Sequence, residues 1–290
     1  MTRWAGIAAL VVAAAYLLAV LALTVGQRWL IYRPPGDAEH YFPADFDRIT
    51  LRTSDGLTLT AAYHPAAVGR PTLVFFHGNG DSFEGSNRAT DLLREQGFGV
   101  LLAEYRGYAG NPGAPTEDGL YRDGRAALDW LAARGIAGRD VILIGYSLGS
   151  GIASQLATER GVGGLVLIAP FTGLVDAASH HFPYIPVRLL LRDRYANLDK
   201  LRGRHLPLFV LHGDRDRVIP WQQGRKVAEA VPGAGLHILR DIGHEIAFLP
   251  DTQIRIARWV DSLDPAKRAE SHDAKAPNAP MLTLPPRPRY

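Results

Sequence analysis

Residues 141–149 of the chain read Val141-Ile142-Leu143-Ile144-Gly145-Tyr146-Ser147-Leu148-Gly149. The first four are apolar and mostly β-branched, so they predict a short buried strand. The pattern Gly-x-Ser-x-Gly follows, and the alanine-rich residues 150–160 then predict a helix. A serine at a sharp turn between strand and helix is typical of a nucleophile elbow, where glycines let the flanking elements approach closely. Ser147 is therefore a candidate nucleophile, and the alternative is a serine that merely caps a helix in a Gly-rich turn.

The rest of the chain predicts an α/β fold. Residues 49–52 and 57–60 alternate in period two around Ser54-Asp55-Gly56, which predicts a hairpin. Apolar strand-like segments then alternate with helical ones. The predicted strands are residues 72–76, 99–104, 141–144, 164–169, 208–211 and 236–239, and the predicted helices include residues 85–96, 116–134 and 245–263. Nearly continuous apolar strands of this kind indicate a mostly parallel sheet with helices on both faces.

Composition narrows the function classes. The 290 residues, 47% of them hydrophobic, suit one large α/β domain with appendages. The net charge of +3 is a small excess of 32 basic over 29 acidic residues, and no basic cluster lies on a candidate recognition element. We therefore expect no nucleic-acid partner. The chain has no cysteine, which excludes disulfides, a cysteine nucleophile and cysteine-based zinc sites.

The amino-terminal segment predicts a membrane anchor. Residues 4–25 carry no charge, and as a helix these 22 residues extend about 33 Å, enough to span a hydrocarbon core of about 30 Å. Trp4, Trp29 and Tyr32 lie where interfacial aromatic residues are expected. The alternative is a cleavable signal peptide, with small residues at Val20-Leu21-Ala22. We predict a single-pass membrane protein; arginines on both sides of the span leave its orientation open.

The pattern divides the chain into three parts. Residues 1–33 are the predicted anchor, residues 34–263 the predicted catalytic domain, and residues 264–290 a polar, proline-rich tail predicted to be disordered. Residues 171–204 interrupt the strand–helix rhythm with a proline-punctuated aromatic segment. This segment is either a short cap insertion that shapes a substrate pocket or an ordinary long connection.

A serine nucleophile needs a base, and the base needs an orienting carboxylate. Catalytic groups of parallel sheets collect at the carboxyl ends of the strands. Asp214 and Asp216 follow the strand at residues 208–211, and His244 follows the strand at residues 236–239. The order serine, aspartate, histidine is that of α/β-hydrolases and of neither chymotrypsin nor subtilisin. The residues alone leave Asp214 and Asp216 as alternatives.

The loop after the strand at residues 72–76 is Gly-rich and predicts the second oxyanion donor. We expect the amides of Asn79 and Leu148 to hold the oxyanion, and His77 and His212 to brace loops. A phosphate-binding loop is excluded because no Gly-Lys-Ser/Thr follows. His180 and His181 lack companions at ligand spacing, so we expect no metal, and the proposed chemistry needs no cofactor.

Five motifs together resemble a known family. They are His77-Gly78-Asn79-Gly80, Tyr105-Arg106-Gly107-Tyr108, Gly145-Tyr146-Ser147-Leu148-Gly149, Gly213-Asp214-Arg215-Asp216-Arg217-Val218-Ile219-Pro220 and Gly243-His244-Glu245. Over roughly residues 28–263 the chain resembles the membrane-anchored α/β-hydrolases of the serine-aminopeptidase-like or ABHD type. The resemblance implies that Asp216 is the catalytic acid. Gly80, where relatives often have alanine, and Glu104, where aspartate is common, depart from the family pattern.

The resemblance implies hydrolysis of ester, thioester or lipid-acyl bonds, and peptidase activity does not follow from the family's name. We predict a serine hydrolase with the triad Ser147, His244 and Asp216, acting on a small-molecule or lipid acyl substrate. The alternatives are a non-catalytic hydrolase-like binding scaffold and a peptidase of the serine aminopeptidase type. No oligomeric state follows from the sequence.

Overall fold

The computed structural model describes residues 2–36 and 41–263, and a single eight-stranded sheet lies at its centre. The strand order is β1-β2-β4-β3-β5-β6-β7-β8. The strands are β1 (Asp47–Arg52), β2 (Thr58–His64), β3 (Thr72–Phe76), β4 (Gly99–Ala103), β5 (Val141–Tyr146), β6 (Gly164–Ile168), β7 (Leu208–Gly213) and β8 (Gly235–Leu239). The predicted hairpin is present as the antiparallel pair β1–β2, and β2 also runs antiparallel to β4. All remaining pairs are parallel, so β3 to β8 end at the same edge of the sheet.

Helices cover both faces of the sheet. They are α1 (Thr2–Ile31), α2 (Phe83–Arg88), α3 (Asp91–Glu95), α4 (Glu117–Ala132), α5 (Gly149–Glu159), α6 (Leu174–His181), α7 (Val187–Leu190), α8 (Asn197–Leu201), α9 (Trp221–Glu229) and α10 (Pro250–Leu263). Alternate residues of each central strand enter one of two cores. Leu143 of β5 packs in the core shared with α4, α5, α8 and α9, whereas Ile144 packs in the core shared with α2, α3 and α10. Burial of both faces explains the continuous apolar strands of the sequence.

Two predicted helices differ from those observed. The predicted helix at residues 85–96 is two short helices, because the chain turns at Thr90, whose hydroxyl donates to the Ser86 carbonyl. The predicted helix at residues 245–263 begins at Pro250. Leu249 is extended, as residues before proline usually are, and a short 3₁₀ turn at Glu245–Phe248 precedes it.

Helix α1 is long and apolar enough to cross a membrane. Within Arg3–Ile31, an 18-residue window has a mean hydropathy of 2.6, and no residue of that window is buried by the rest of the described chain. Residues 171–204, called the insertion below, connect β6 to β7 and contain α6, α7 and α8. The division at residues 33 and 263 stays a prediction, and the tail predicted at residues 264–290 lies outside the described residues.

Candidate active site

Ser147 lies at the tip of a strained turn between β5 and α5. Its φ of +50° is in the left-handed region that side chains rarely adopt. The two glycines of the motif are sterically required. A Cβ on Gly149 would come within 1.9 Å of the Phe76 carbonyl oxygen, and a Cβ on Gly145 would come within 2.6 Å of the Gly149 carbonyl oxygen. The turn therefore holds the serine hydroxyl at the carboxyl edge of the sheet.

The three residues predicted as a triad are in hydrogen-bond contact. His244 Nε2 lies 2.9 Å from Ser147 Oγ, and His244 Nδ1 lies 2.7 Å from Asp216 Oδ2. A carboxylate only accepts hydrogen bonds, so Nδ1 carries the proton and Nε2 is free to accept the serine proton. The arrangement is that of a nucleophile, a general base and an orienting acid. Their catalytic roles stay a prediction at this point.

The structure separates the two candidate acids. Asp216 is buried, and its Oδ1 accepts from the amides of Val218 and Ile219, both at 2.8 Å. Asp214 instead accepts from the amide of Asp241 at 2.7 Å, which joins the loops that follow β7 and β8. Of these two aspartates, only Asp216 contacts His244 among the hydrogen bonds of the described residues.

A second histidine also contacts the Asp216 carboxylate. His212 Nε2 lies 3.1 Å from Asp216 Oδ2 and 2.9 Å from the Ile219 carbonyl oxygen. Both are acceptors, so Nε2 of His212 carries a proton and donates. A Cβ on Gly224 would lie 2.4 Å from His212 Nδ1, so this glycine of α9 makes room for the ring. Burial raises the pKa of Asp216, but the donors from His212, His244 and Ile219 outweigh burial and hold it well below its ordinary value.

The loop after β3 lies against the nucleophile. A Cβ on Gly78 would approach the Ser147 Cβ to 3.4 Å and the Tyr146 ring to 3.0 Å, so glycine permits this contact. The side-chain oxygen of Asn79 accepts from the Tyr108 hydroxyl at 2.9 Å. These contacts fix the loop that carries the Asn79 amide. The use of the Asn79 and Leu148 amides as oxyanion donors stays a prediction.

Glu104 is a residue whose role the sequence analysis missed. His77 Nε2 lies 2.7 Å from Glu104 Oε1, His77 Nδ1 lies 2.8 Å from the Gly78 carbonyl oxygen, and both side chains are buried. The strand register brings the two side chains together: Phe76 pairs with Ala103 across β3 and β4, so the residues that follow them, His77 and Glu104, meet. Burial by itself lowers the pKa of His77, but the Glu104 carboxylate raises it above the ordinary value of 6.5.

Replacing Glu104 with glutamine is expected to destabilise the protein in a pH-dependent way. A histidine whose folded pKa is raised contributes stability that is complete below about pH 6.5 and is lost as the pH rises through the folded pKa. We expect E104Q to lower the free energy of unfolding by about 2 kcal/mol under mildly acidic conditions and by much less under alkaline ones. Urea unfolding of E104Q and of the wild type, at one pH below and one pH above the titration of His77, measures this difference in stability. The exposed substitution E95Q is the control, and equal losses at both pH values would contradict the prediction.

No metal site is found in the part of the chain that the structure describes: no three His, Cys, Asp or Glu side chains are grouped to hold an ion. Of His180 and His181, which the sequence analysis weighs as metal ligands, His181 has its Nε2 2.8 Å from the Val218 carbonyl oxygen. That contact joins the end of α6 to the loop that carries Asp216.

The carboxyl end of α1 contacts the site. The backbone amide of Arg33 donates to Asn79 Oδ1 at 2.7 Å. Just before it in the chain, the hydroxyl of Tyr32 is hydrogen-bonded to the hydroxyl of Tyr195 in the insertion at 2.9 Å. Arg28 forms an ion pair with Asp193 of the insertion at 3.0 Å. The apolar helix and the insertion therefore meet at the edge of the sheet where Ser147 lies.

The chain is similar in sequence to proteins of one family. The family model described as serine aminopeptidase, S33, matches residues 68–193. An uncharacterised protein of Mycobacterium tuberculosis strain H37Rv is 34% identical over 238 residues, which cover 79% of this chain and 84% of the relative. The lysophosphatidylserine lipase ABHD12 of Xenopus tropicalis is 30% identical over 200 residues, covering 62% of this chain and 50% of that one.

Solved structures show the same fold. The Pyrococcus furiosus esterase Pf2001 superposes with a TM-score of 0.66 at 18% identity, covering 80% of this chain and 97% of the esterase. At this identity the likeness bears on fold alone. It confirms the predicted sheet with helices on both faces.

Proposed function

Because the chain belongs to the α/β-hydrolases of the ABHD type, we propose that it is a membrane-held serine hydrolase that cleaves ester or thioester bonds of lipid-like acyl substrates. The observation that carries the proposal is the chain of contacts from Ser147 Oγ to His244 at 2.9 Å and from His244 to Asp216 at 2.7 Å. The serine hydroxyl is a weak nucleophile at neutral pH, and these contacts supply the base that it needs.

In the first half of the reaction, Ser147 Oγ attacks the acyl carbonyl carbon while His244 Nε2 takes the hydroxyl proton. Asp216 keeps the proton on Nδ1 and stabilises the imidazolium that forms. The amides of Asn79 and Leu148 donate to the oxyanion of the tetrahedral intermediate, and Leu148 lies at the amino end of α5, where the helix dipole favours negative charge. His244 then gives its proton to the departing alcohol or thiol, which leaves an acyl-serine.

In the second half, water replaces the leaving group. His244 Nε2 takes a proton from the water as its oxygen attacks the acyl carbon, and the same two amides hold the second oxyanion. The Ser147 oxygen leaves with the proton from His244. The products are a free acid and the regenerated enzyme, and the cycle uses no metal or organic cofactor.

Two observations support an acyl substrate that partitions into membranes. Helix α1 is apolar over a membrane-spanning length and ends against the loop of Asn79, so the site lies beside the predicted anchor. The relative from Xenopus tropicalis is described as a lysophosphatidylserine lipase. These two points favour a lipid acyl group over a freely soluble ester.

A substrate panel tests this function. The full chain in detergent is offered p-nitrophenyl esters of graded acyl length, acyl thioesters, lysophospholipids and an aminoacyl p-nitroanilide. We expect ester and thioester turnover that rises with acyl length. Turnover of the anilide without any ester turnover would instead favour the peptidase alternative, and turnover of none, despite tight ligand binding, would favour the scaffold.

A further inference from the structure

Residues 182–189 of the insertion, called the tip below, expose large apolar side chains and one charged residue, Arg188, which pairs with Asp176 at 2.8 Å. Tyr184 is 87% exposed, Leu189 is 83% exposed and Phe182 is 42% exposed. Large apolar side chains grouped in this way, next to a helix whose apolar residues are mostly exposed, mark a surface for association. The contacts between the tip and α1 show what that surface faces.

The tip descends along α1 well into its apolar span. At the upper end, the Gln27 side chain donates to the Leu190 carbonyl at 3.2 Å and accepts from the Arg192 amide at 2.8 Å. At the lower end, the Tyr16 hydroxyl donates to the Tyr184 carbonyl at 2.8 Å. These two levels are eleven residues apart on α1, so residues 184–192 of the insertion extend about 17 Å along the helix.

Hydrogen bonds within the chain lower the cost of placing irregular backbone in hydrocarbon. In residues 182–187 most backbone groups have such a partner among the described residues, and the Tyr184 amide and the Pro183 carbonyl do not. Pro183 and Pro186 have no N–H, and the amides of Phe182, Ile185 and Val187 donate within the chain. The carbonyls of Phe182, Ile185 and Pro186 accept backbone amides, and that of Tyr184 accepts the Tyr16 hydroxyl.

Polar and aromatic groups lie above the tip, at the level where α1 leaves its apolar span. Trp29 is 89% exposed, and Arg28 pairs with Asp193. The backbone amide of Arg192 donates to Gln27, which places this exposed arginine at the same level. Tryptophan and arginine at one level, with mainly apolar residues below, are typical of a membrane–water interface, where arginine meets anionic headgroups.

We propose that the tip enters the hydrocarbon region of a phospholipid bilayer beside α1, so that the insertion is a membrane-docking surface. This inference rests on the proposed anchoring of α1. The tip continues from α6, whose His181 contacts the loop of Asp216, and α1 ends on the loop of Asn79. Docking therefore presents the active-site edge of the sheet to the lipid surface, from which an acyl chain reaches Ser147 without crossing bulk water.

Depth-dependent quenching tests the insertion directly. The chain has no cysteine, so single substitutions carry one fluorophore each. We choose Y184C and L189C in the tip, V11C in α1, and V68C on an exposed loop. Each labelled full chain is reconstituted in vesicles of phosphatidylcholine and phosphatidylglycerol that contain a nitroxide-labelled acyl chain.

We expect strong quenching at residues 11, 184 and 189 and little at residue 68. Tip labels quenched no more than the label at residue 68 would overturn the inference, and so would an unquenched label at residue 11, since the anchor is its premise. These readouts need no catalysis, so they stand apart from the proposed hydrolase activity.

A second experiment links insertion to substrate supply. The double variant Y184D/L189D places two carboxylates where hydrocarbon is expected, and V68D is the control. We expect hydrolysis of an ester embedded in vesicles to fall at least about tenfold, with hydrolysis of a soluble short-chain ester unchanged. Equal rates on vesicles for the double variant and the wild type would contradict the inference. A wild type that cleaves neither ester would count against the hydrolase function, while quenching would still report on the tip.

Discussion

Replacing Ser147 with alanine is expected to lower kcat by about 10⁴–10⁶-fold, because the substitution removes the atom that forms the acyl-enzyme and leaves only residual binding and oxyanion stabilisation. The same variant should fail to react with a fluorophosphonate, which forms its covalent bond to an activated serine oxygen. The fold should persist, since alanine is smaller than serine and the glycines on either side of the turn are unchanged.

The matched control for this prediction is S154A. Ser154 is buried in α5, one and a half turns beyond the elbow, and its hydroxyl has no hydrogen-bond partner among the described residues. Its loss should leave both labelling and turnover intact. Fluorophosphonate labelling and single-turnover ester hydrolysis measure both variants. Undiminished labelling of S147A, or a wild type that does not label, would reject Ser147 as the nucleophile.

Replacing Asp216 with asparagine is expected to reduce kcat by about 10⁴-fold, whereas the same change at Asp214 should cost little. An amide has one oxygen and one NH₂ group, so it cannot accept from both histidines and from both backbone amides as the carboxylate does. Its NH₂ group turned toward His244 would favour the tautomer with the proton on Nε2, which cannot accept the serine proton.

The pair D216N and D214N discriminates the two acids that the sequence leaves open. Each variant is assayed for kcat on a p-nitrophenyl ester after far-ultraviolet circular dichroism has shown that it is folded. D214N loses only the carboxylate that accepts from the Asp241 amide, so a modest loss of stability is expected there. Greater loss of kcat in D214N than in D216N would reverse the assignment.

The sequence predicts those parts of the fold and of the candidate site that depend on local pattern. Strand ends are visible where an apolar run meets a polar turn, and in a parallel sheet those ends share one edge. That reasoning selects Ser147 and His244 and leaves Asp214 and Asp216 as alternatives, between which the family resemblance decides; Ser147, Asp216 and His244 are in contact. The hairpin follows from its period-two alternation and its turn residues in the same way.

Contacts between distant segments are not visible in local pattern. The order of β3 and β4 in the sheet sets the meeting of His77 with Glu104, and nothing near either residue encodes that order. The same holds for Tyr32 and Tyr195, which are 163 residues apart. The helix break at Thr90 depends on one side-chain hydrogen bond, and the break at Leu249 depends on the proline that follows it. A hydrophobic pattern read over a whole helix does not detect such single-residue effects.

The amide of Arg33 that donates to Asn79 has a consequence for biochemical work on this enzyme. Trimming residues 1–33 is a convenient route to a detergent-free preparation, and such a preparation would keep all three residues of the proposed triad. It would also lose a donor to the loop that carries the Asn79 amide, so its turnover numbers would describe an altered catalyst. Inhibitor screens and specificity profiles therefore belong on the whole chain, held in nanodiscs or micelles.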